Sequence, residues 1–463
     1  MRLTLAELGR ATGGRVLGDP ATAVDGASND SRTLMPGQCF VAIVDQRDGH
    51  AFVVDAFARG AAAAIVTRVP DGLAADAALL LVDDPLDALS RAATHVRTER
   101  LSSACVTAVT GSSGKTSTKD LLASVLATER RVHANEASFN NEIGLPVTLL
   151  GAPDDVQHLV CEMGARFAGN ITDLCSIAQP QIGVVTNIGI AHGEFLGGPD
   201  GVERAKGELL DALPPDGVAV LNADDAATQR LAARSAAAVL TAGRAATATV
   251  RIERVELADD LRPRLRLSSP WGSVDALVGL RGAHQAANAA LAAAVALHDG
   301  VDPSHVGEGL RTARGSAGRM ELARTVDGIA VLNDAYNANP ASTRAALVAL
   351  GDLPVEGRRV AVLGAMKELG AGSEEQHSVI GELAGRCGID VLVAVGRDPE
   401  IATLAGAALS AGVAVIRVDD VAGALLALVD RGSGDAILVK ASRAIGLEAI
   451  AEALLQPRAG VDA

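Results

Sequence analysis

Aromatic side chains are nearly absent from this chain: six Phe, one Tyr and one Trp amount to 2% of 463 residues. Cores that cannot rely on rings must be filled by Ala, Val, Leu and Ile, and a hydrophobic fraction of 49% built that way suits parallel sheets covered by helices. Cysteine is also scarce. The five (Cys39, Cys105, Cys161, Cys175, Cys387) are odd in number, scattered, and form no CxxC pair. That argues against a disulfide framework or a thiolate metal site and points to a reducing compartment. Positive charge is short, with 41 Lys and Arg against 56 Asp and Glu, a net charge of −15 and a pI near 5.1. Nucleic acid and anionic membrane surfaces are thereby disfavoured as main partners, while a local basic pocket for a small anion is still compatible. No apolar run approaches the roughly eighteen residues of a membrane span, and runs such as Ala61 to Val66 are short. The opening MRLTLAELGRATGG lacks a basic start, an apolar stretch and a cleavage site. A soluble, cytoplasmic protein is expected.

What the chain does possess is a phosphate cradle. Residues Val106 to Lys119 read VTAVTGSSGKTSTK, an apolar strand entering a glycine-rich turn and then a helix. Across Gly111, Ser112, Ser113, Gly114, Lys115, Thr116 and Ser117, backbone N–H groups can converge on phosphate oxygens, and the glycines permit close approach. The helix behind, with Leu121, Leu122, Val125 and Leu126 on its apolar side, aims its positive end at the same anion. Lys115 supplies a mobile charge for the distal phosphates, and the Thr116 hydroxyl is placed to ligate Mg²⁺. The first glycine lies two residues closer to the Gly-Lys pair than in the usual nucleotide loop. A plain surface turn is the weaker reading, so a bound nucleoside triphosphate is expected.

The rest of the chain alternates strands and helices, an α/β pattern in three segments. Short apolar runs (Gln38 to Val44, Ala61 to Val66, Ala78 to Val82) and a helix over Asp84 to Thr98 suggest a small α/β unit over residues 1–102. A polar break from Arg97 to Ser103 ends it. Residues 103–313 carry strands at Val106–Thr110, His158–Glu162, Ile182–Asn187 and Val218–Asn222, a larger parallel sheet closed by an alanine-rich helix from about Ala283 to His298. Polar residues Thr110, Glu162, Thr186, Asn187 and Asn222 stand at its strand ends, where ligands of such sheets gather. After Arg314 to Gly318, residues 314–463 show strands at Ile329–Asn333, Arg359–Leu363, Val391–Val395, Val413–Arg417 and Ala436–Val439, a doubly wound, Rossmann-like fold.

Several side chains are candidates for chemistry. Glu162, ending a strand beside the phosphate loop, is suited to Mg²⁺, a hard cation that prefers oxygen. His192 follows the strand at Ile182–Asn187, where a lone His is more often a structural hydrogen-bonder. Lys206, in the mixed-charge helix ERAKGE, reads locally as a solvated side chain. His284, Gln285 and Asn288 share one side of an alanine helix and either read a purine edge or bond a neighbouring loop. Arg319, after a glycine-rich hinge, could be delivered from one domain onto a triphosphate held by another. Asp334, Tyr336, Asn337 and Asn339 crowd a strand end, either as cap and turn or as ligand contacts.

Taken together, TGSSGKTSTK, NNEIGLPVTLL from Asn140, EMGA, TNI-x-x-AH, AKGEL, GAHQAANA, GRME and NDAYNANP resemble, in order and over essentially the full length, the muramyl-peptide (Mur) ligases of bacterial cell-wall synthesis. NDAYNANP, VLGAMKELG and LVKASR are similar to the branch that adds a dipeptide. The DNPR-type signature of the ligases adding the third residue is missing. Folylpolyglutamate synthases share the shortened loop but lack the NDSR-x-x-x-PG-x-x-FVA pattern found here from Asn29.

The resemblance implies three domains, the first binding a uridine diphosphate end through Asn29 to Thr33, with Ser31 and Arg32, and through Asp48 to His50. It implies that Lys206 is carbamylated, that Thr116 and Glu162 serve one Mg²⁺, and that His192, Lys206 and Glu162 serve a second. Asn288, Arg319 and Asp334 match nucleotide contacts. Asn140, Asn141, Tyr336, Asn337, Asn339, Lys440, Ser442 and Arg443 match substrate contacts, the last three for the incoming dipeptide. Gln285 stands where the family has Asn, and Gly193 where it has Leu. The implied activity is an ATP-dependent, ADP-forming amide ligase. It joins D-alanyl-D-alanine to UDP-N-acetylmuramoyl-tripeptide through an acyl phosphate, as a monomer without nucleic-acid or membrane partners. A ligase adding a single amino acid, and a nucleotide-dependent regulator, are the alternatives.

Overall fold

A computed structural model describes residues 2–189 and 193–456. Three sheets organise them, helped by a two-stranded antiparallel ribbon, Leu3–Thr4 with Ala23–Val24. The N-terminal sheet has five strands in the order Arg15–Leu17, Leu79–Leu81, Ala63–Val66, Cys39–Val41, Ala27–Ser28, parallel except at the first pairing. Asp84 caps the helix Pro85–Glu99 by accepting from the amides of Leu86 and Asp87, and Pro85 fits the first turn, where no N–H partner is needed. The stretch expected to be a polar break is instead tied down. Arg97 is 3% exposed and donates to the carbonyls of Ala178 (2.8 Å) and Leu101 (2.5 Å). One apolar core runs without interruption from Leu5, Ile65 and Leu89 to Leu145, Met163 and Leu174, so the first two units share it.

The middle sheet has nine strands. Its parallel part runs Val132–Ala134, His158–Glu162, Cys105–Thr110, Ile182–Val185, Val218–Asn222, Ala238–Gly243, Val250–Leu257. From Cys105–Thr110 the chain first goes to one side and then to the other. The strand feeding the phosphate loop is thus the switch point of the sheet, where a crevice opens at the carboxyl ends. The antiparallel extension through Pro263–Ser269 and Gly272–Leu277 was not expected from sequence. Residues of Pro263–Ser269 alternate buried and exposed, as a half-solvated sheet allows. Helix Gln285–His298 is buried on nearly every side, which explains its alanines: larger side chains would separate it from the loop helix Lys115–Leu126 and the sheet.

Six strands make the C-terminal sheet: Glu321–Arg324, Ala330–Asn333, Ala436–Lys440, Arg359–Gly364, Val391–Val395, Ala414–Val418, parallel except for the first pair. Apolar cores line both of its faces, as the doubly wound reading requires. Among the described residues no helix is long and apolar enough to cross a membrane.

Close helix packing gives a first prediction. A Cβ on Gly309 would lie 2.4 Å from the Cα of Val125 in the loop helix. Gly309→Ala should therefore destabilise the protein by about 1–3 kcal/mol, read from urea unfolding; an unchanged midpoint would contradict this packing.

Candidate active site

The phosphate loop owes its shape to missing side chains. Gly111 and Gly114 have φ of 144° and 79°. A Cβ on Gly111 would lie 2.0 Å from Thr186 Oγ1, and one on Gly114 2.6 Å from Asn288 Oδ1. The loop is locked from the neighbouring strand end: Asn187 Oδ1 accepts from the Ser113 amide (3.1 Å), Thr186 Oγ1 donates to the Ser113 carbonyl (2.6 Å), and Ser112 Oγ donates to the Gly189 carbonyl (2.9 Å). Lys115 Nζ folds back onto the Gly111 carbonyl at 2.8 Å. Its burial lowers its pKa, partly opposed by the negative charge of Glu162.

Beside the loop, Glu162 Oε2 and Lys206 Nζ are buried without hydrogen-bond partners, as is Nε of Arg319. Glu162 is otherwise fixed. Its Oε1 accepts from Asn140 Nδ2 (2.6 Å), and its amide donates to Asn135 Oδ1 (2.6 Å). Lys206 is 1% exposed, which corrects the expectation of a solvated side chain. Helix Pro199–Asp211 turns this residue inward; of its charged neighbours Arg204 is exposed, whereas Glu208 is half-buried and accepts from the Gly169 amide (2.7 Å). Burial, aided by the nearby positive Lys115, pulls its pKa down to about 7. The desolvated, unspent carboxylate oxygen of Glu162 suits a hard divalent cation, whereas the amine of Lys206 offers such an ion no oxygen of its own.

The C-terminal sheet completes the site. Arg319 Nη2 reaches Thr116 Oγ1 and Ser138 Oγ, each at 3.2 Å, and these two hydroxyls are 3.1 Å apart. Its guanidinium lies 4.3 Å from the Tyr336 ring centre, and that of Arg443 lies 5.4 Å from the same ring. Asn339 caps helix Pro340–Asp352 in a capping box with Ser342 and donates to the Ser112 carbonyl at 3.3 Å. A cleft of about 1470 Å³ results. It brings together Ser112 to Thr116, Asn140, Asn141, Glu162, Arg319, Tyr336, Asn337, Asn339, Ser442 and Arg443.

Other expected residues lie elsewhere. Asp334 and Lys440 are buried against each other, Nζ to Oδ2 at 2.5 Å, with Lys440 also donating to the Asn337 carbonyl (2.8 Å) and Asp334 accepting from the Met320 amide (3.1 Å). Gln285 is buried and bonds Asn288 (2.8 Å), His284 (3.1 Å) and, at 3.4 Å, Ser117. The residues lining the cleft do not include Ser31 or Arg32, and Arg32 is held by Asp30 (2.6 Å). Both ring nitrogens of His50 are used internally, by Asp48 (2.7 Å) and by the Thr67 amide (2.9 Å). His192 lies outside the described residues. Sequence reasoning passed over Asn135 and Ser138; the polar run HANEASFNN between strand and helix was the available signal.

A family model for the Mur ligase middle domain matches residues 109–296, and one for the Mur ligase glutamate ligase domain matches 318–443. The chain is 39% identical, over 98% of both sequences, to the UDP-N-acetylmuramoyl-tripeptide–D-alanyl-D-alanine ligase of Mycobacterium tuberculosis. Among solved structures it is similar to MurF of Acinetobacter baumannii (TM-score 0.85, 31% identity, 99% of each chain). It is also similar to the MurF ligase of Thermotoga maritima in complex with ADP (TM-score 0.77, 28% identity, 93% of this chain and 96% of that one).

The buried amine makes a pH prediction. Between about pH 7 and its ordinary pKa of 10.5, Lys206 is protonated in the unfolded chain and neutral in the folded one, so its burial penalty is full below pH 7 and fades as pH rises. In metal- and carbonate-free buffer, Lys206→Met should be more stable than the wild type below pH 7. The advantage should shrink toward pH 10.5 in urea midpoints, and a pH-independent difference would refute the neutral amine.

Proposed function

The chain belongs to the Mur ligase family, and we propose that its reaction is the ATP-dependent joining of D-alanyl-D-alanine to UDP-N-acetylmuramoyl-tripeptide in peptidoglycan precursor synthesis. The observation that carries this is one cleft where the phosphate loop, Glu162 and Arg319, just ahead of the C-terminal sheet, meet in a chain matching dipeptide-adding ligases end to end. The reading places the protein in the cytoplasm as a monomer.

The chemistry follows from charge. A carboxylate is a poor acyl donor, so the terminal carboxylate of the tripeptide attacks the γ-phosphorus of ATP, and the bond to ADP breaks. The amine of D-alanyl-D-alanine then attacks the acyl phosphate carbon, and phosphate leaves as the amide forms. Gly111 to Ser117 bind the triphosphate through backbone amides, with Asn288 behind Gly114. Lys115 and Arg319 offset the charge that builds on the transferring phosphoryl group. Mg²⁺, when bound, neutralises phosphate charge. Thr116 and Glu162 would hold one ion; Glu162, His192 and a carbamylated Lys206 would hold a second. The carbamate forms when a neutral amine takes up CO₂ and loses a proton, for which a pKa near 7 is favourable.

Asn140, Asn141, Tyr336, Asn337, Asn339, Ser442 and Arg443 orient the peptide substrates along the cleft wall. Asp334 and Lys440 brace the strand ends behind it. Residues 1–102 take the uridine end, with Ser31 and Arg32 beyond the cleft, and helix Pro85–Glu99 forms the wall between. Closure of the domains over the cleft would keep water from the acyl phosphate.

Phosphate release should require both UDP-N-acetylmuramoyl-tripeptide and D-alanyl-D-alanine, with one pentapeptide product per phosphate by mass. Lys115→Ala should lower kcat by roughly a hundredfold or more. Product formed instead with a single amino acid would favour the alternative ligase, and release indifferent to both substrates would favour a regulator.

A further inference from the structure

The second turn of the loop helix carries two adjacent charges that no step above employs. Lys119 is only 2% exposed. Its ammonium donates to the carbonyls of Asn135 (2.7 Å) and Ala137 (3.0 Å) and lies 2.9 Å from Asp120 Oδ1. Ala137 has a φ of 45°, in the left-handed region that a residue with a Cβ seldom adopts, so this turn must be held from outside. It delivers Asn135 to the Glu162 amide and Ser138 to Thr116.

Asp120 grips a different segment with its other oxygen. Oδ2 accepts from both the backbone amide (2.9 Å) and the hydroxyl (2.8 Å) of Ser316. Ser316 lies in the connector between the middle and C-terminal sheets, three residues before Arg319 and between Gly315 and Gly318. A glycine-flanked connector samples many conformations unless something selects one. The two gripped segments then meet, because Arg319 Nη2 touches Thr116 Oγ1 and Ser138 Oγ.

We propose that Lys119 and Asp120 are positioning residues of the ligase reaction: Lys119 holds the Ser138 turn, and Asp120 holds the connector so that Arg319 stays over the phosphate loop. The proposal rests on the ligase reading. It makes delivery of the C-terminal guanidinium depend on a carboxylate of the nucleotide-binding helix itself. ADP affinity is largely independent of this grip, because its phosphates rest on backbone amides of Gly111 to Thr116 that neither side chain touches, whereas Arg319 serves the transferring phosphoryl group that ADP lacks. The Arg319 contact is what the grip controls, and it acts on turnover.

The test uses the full chain and measures kcat, KM for each substrate, ADP affinity by calorimetry, and thermal midpoint. Asp120→Ala should lower kcat by roughly tenfold or more while ADP affinity stays within about twofold. Ser316→Ala, which removes one of the two bonds, should lower kcat by roughly threefold, and the double variant should be no slower than Asp120→Ala alone. Lys119→Met should lower kcat by a similar roughly tenfold through the Ser138 turn. A folded Asp120→Ala with wild-type kcat overturns the proposal. So do losses that multiply in the double variant, or an ADP affinity that falls as far as kcat. If Asp120→Ala does not fold, Ser316→Ala decides alone, an unchanged kcat overturning the role. The wild type tested alongside keeps the two readings apart: no pentapeptide from it overturns both, whereas normal wild-type turnover with unaffected variants overturns positioning only.

Discussion

Two absent Cβ atoms constrain everything around the phosphate loop. Thr186 and Asn187 can lock the loop from the next strand because Gly111 leaves them room, and Asn288 can pack beneath it because Gly114 does the same. Each contact fixes part of an otherwise flexible turn, so its amides are preorganised before an anion arrives. The alanines of helix Gln285–His298 extend this constraint inward, since only small side chains let Asn288 approach so closely. The switch-point strand Cys105–Thr110 extends it outward by presenting the loop at the open edge of the sheet.

Around that rigid centre, charge is managed by withholding partners. Most buried polar groups of the site are satisfied, including Lys440 on Asp334 and Asn140 on Glu162. Glu162 Oε2, Lys206 Nζ and Arg319 Nε are not. Desolvation favours the neutral amine of Lys206, and the positive Lys115 pushes the same way. Leaving such groups unpaired costs stability, a cost that a ligand bound in the cleft would offset.

Much of this was legible in the sequence, and what was not has physical reasons. The strands His158–Glu162, Val218–Asn222 and Val391–Val395 are continuous apolar runs bounded by turn residues, and they were readable to the residue. The antiparallel strands Pro263–Ser269 and Gly272–Leu277 were passed over: the alternating Arg and Leu of the first are the period-two signal of a half-wet strand, whereas the second, GSVDAL, carries no such alternation. The phosphate loop declared itself because its chemistry is local. Lys206 did not, since its inward rotation depends on packing against elements distant in sequence, and only family resemblance singled it out. Ser138 and Asp120 act through residues 181 and 196 positions away, Arg319 and Ser316, a separation that no window on the sequence spans.

The core shared by the N-terminal and middle sheets has a consequence for modularity. Leu89, Ala92 and Val96 of helix Pro85–Glu99 share a buried cluster with Leu145 and Leu149, and Arg97 caps the carbonyl end of a helix in the middle unit. Excising the first hundred residues would expose that cluster and leave the Ala178 carbonyl without its donor. The same holds at the second boundary, where the core of the C-terminal sheet takes in Leu261 of the middle unit and Asp120 holds Ser316, so the fold divides cleanly at neither place and exchanging either outer unit would cut through a shared core.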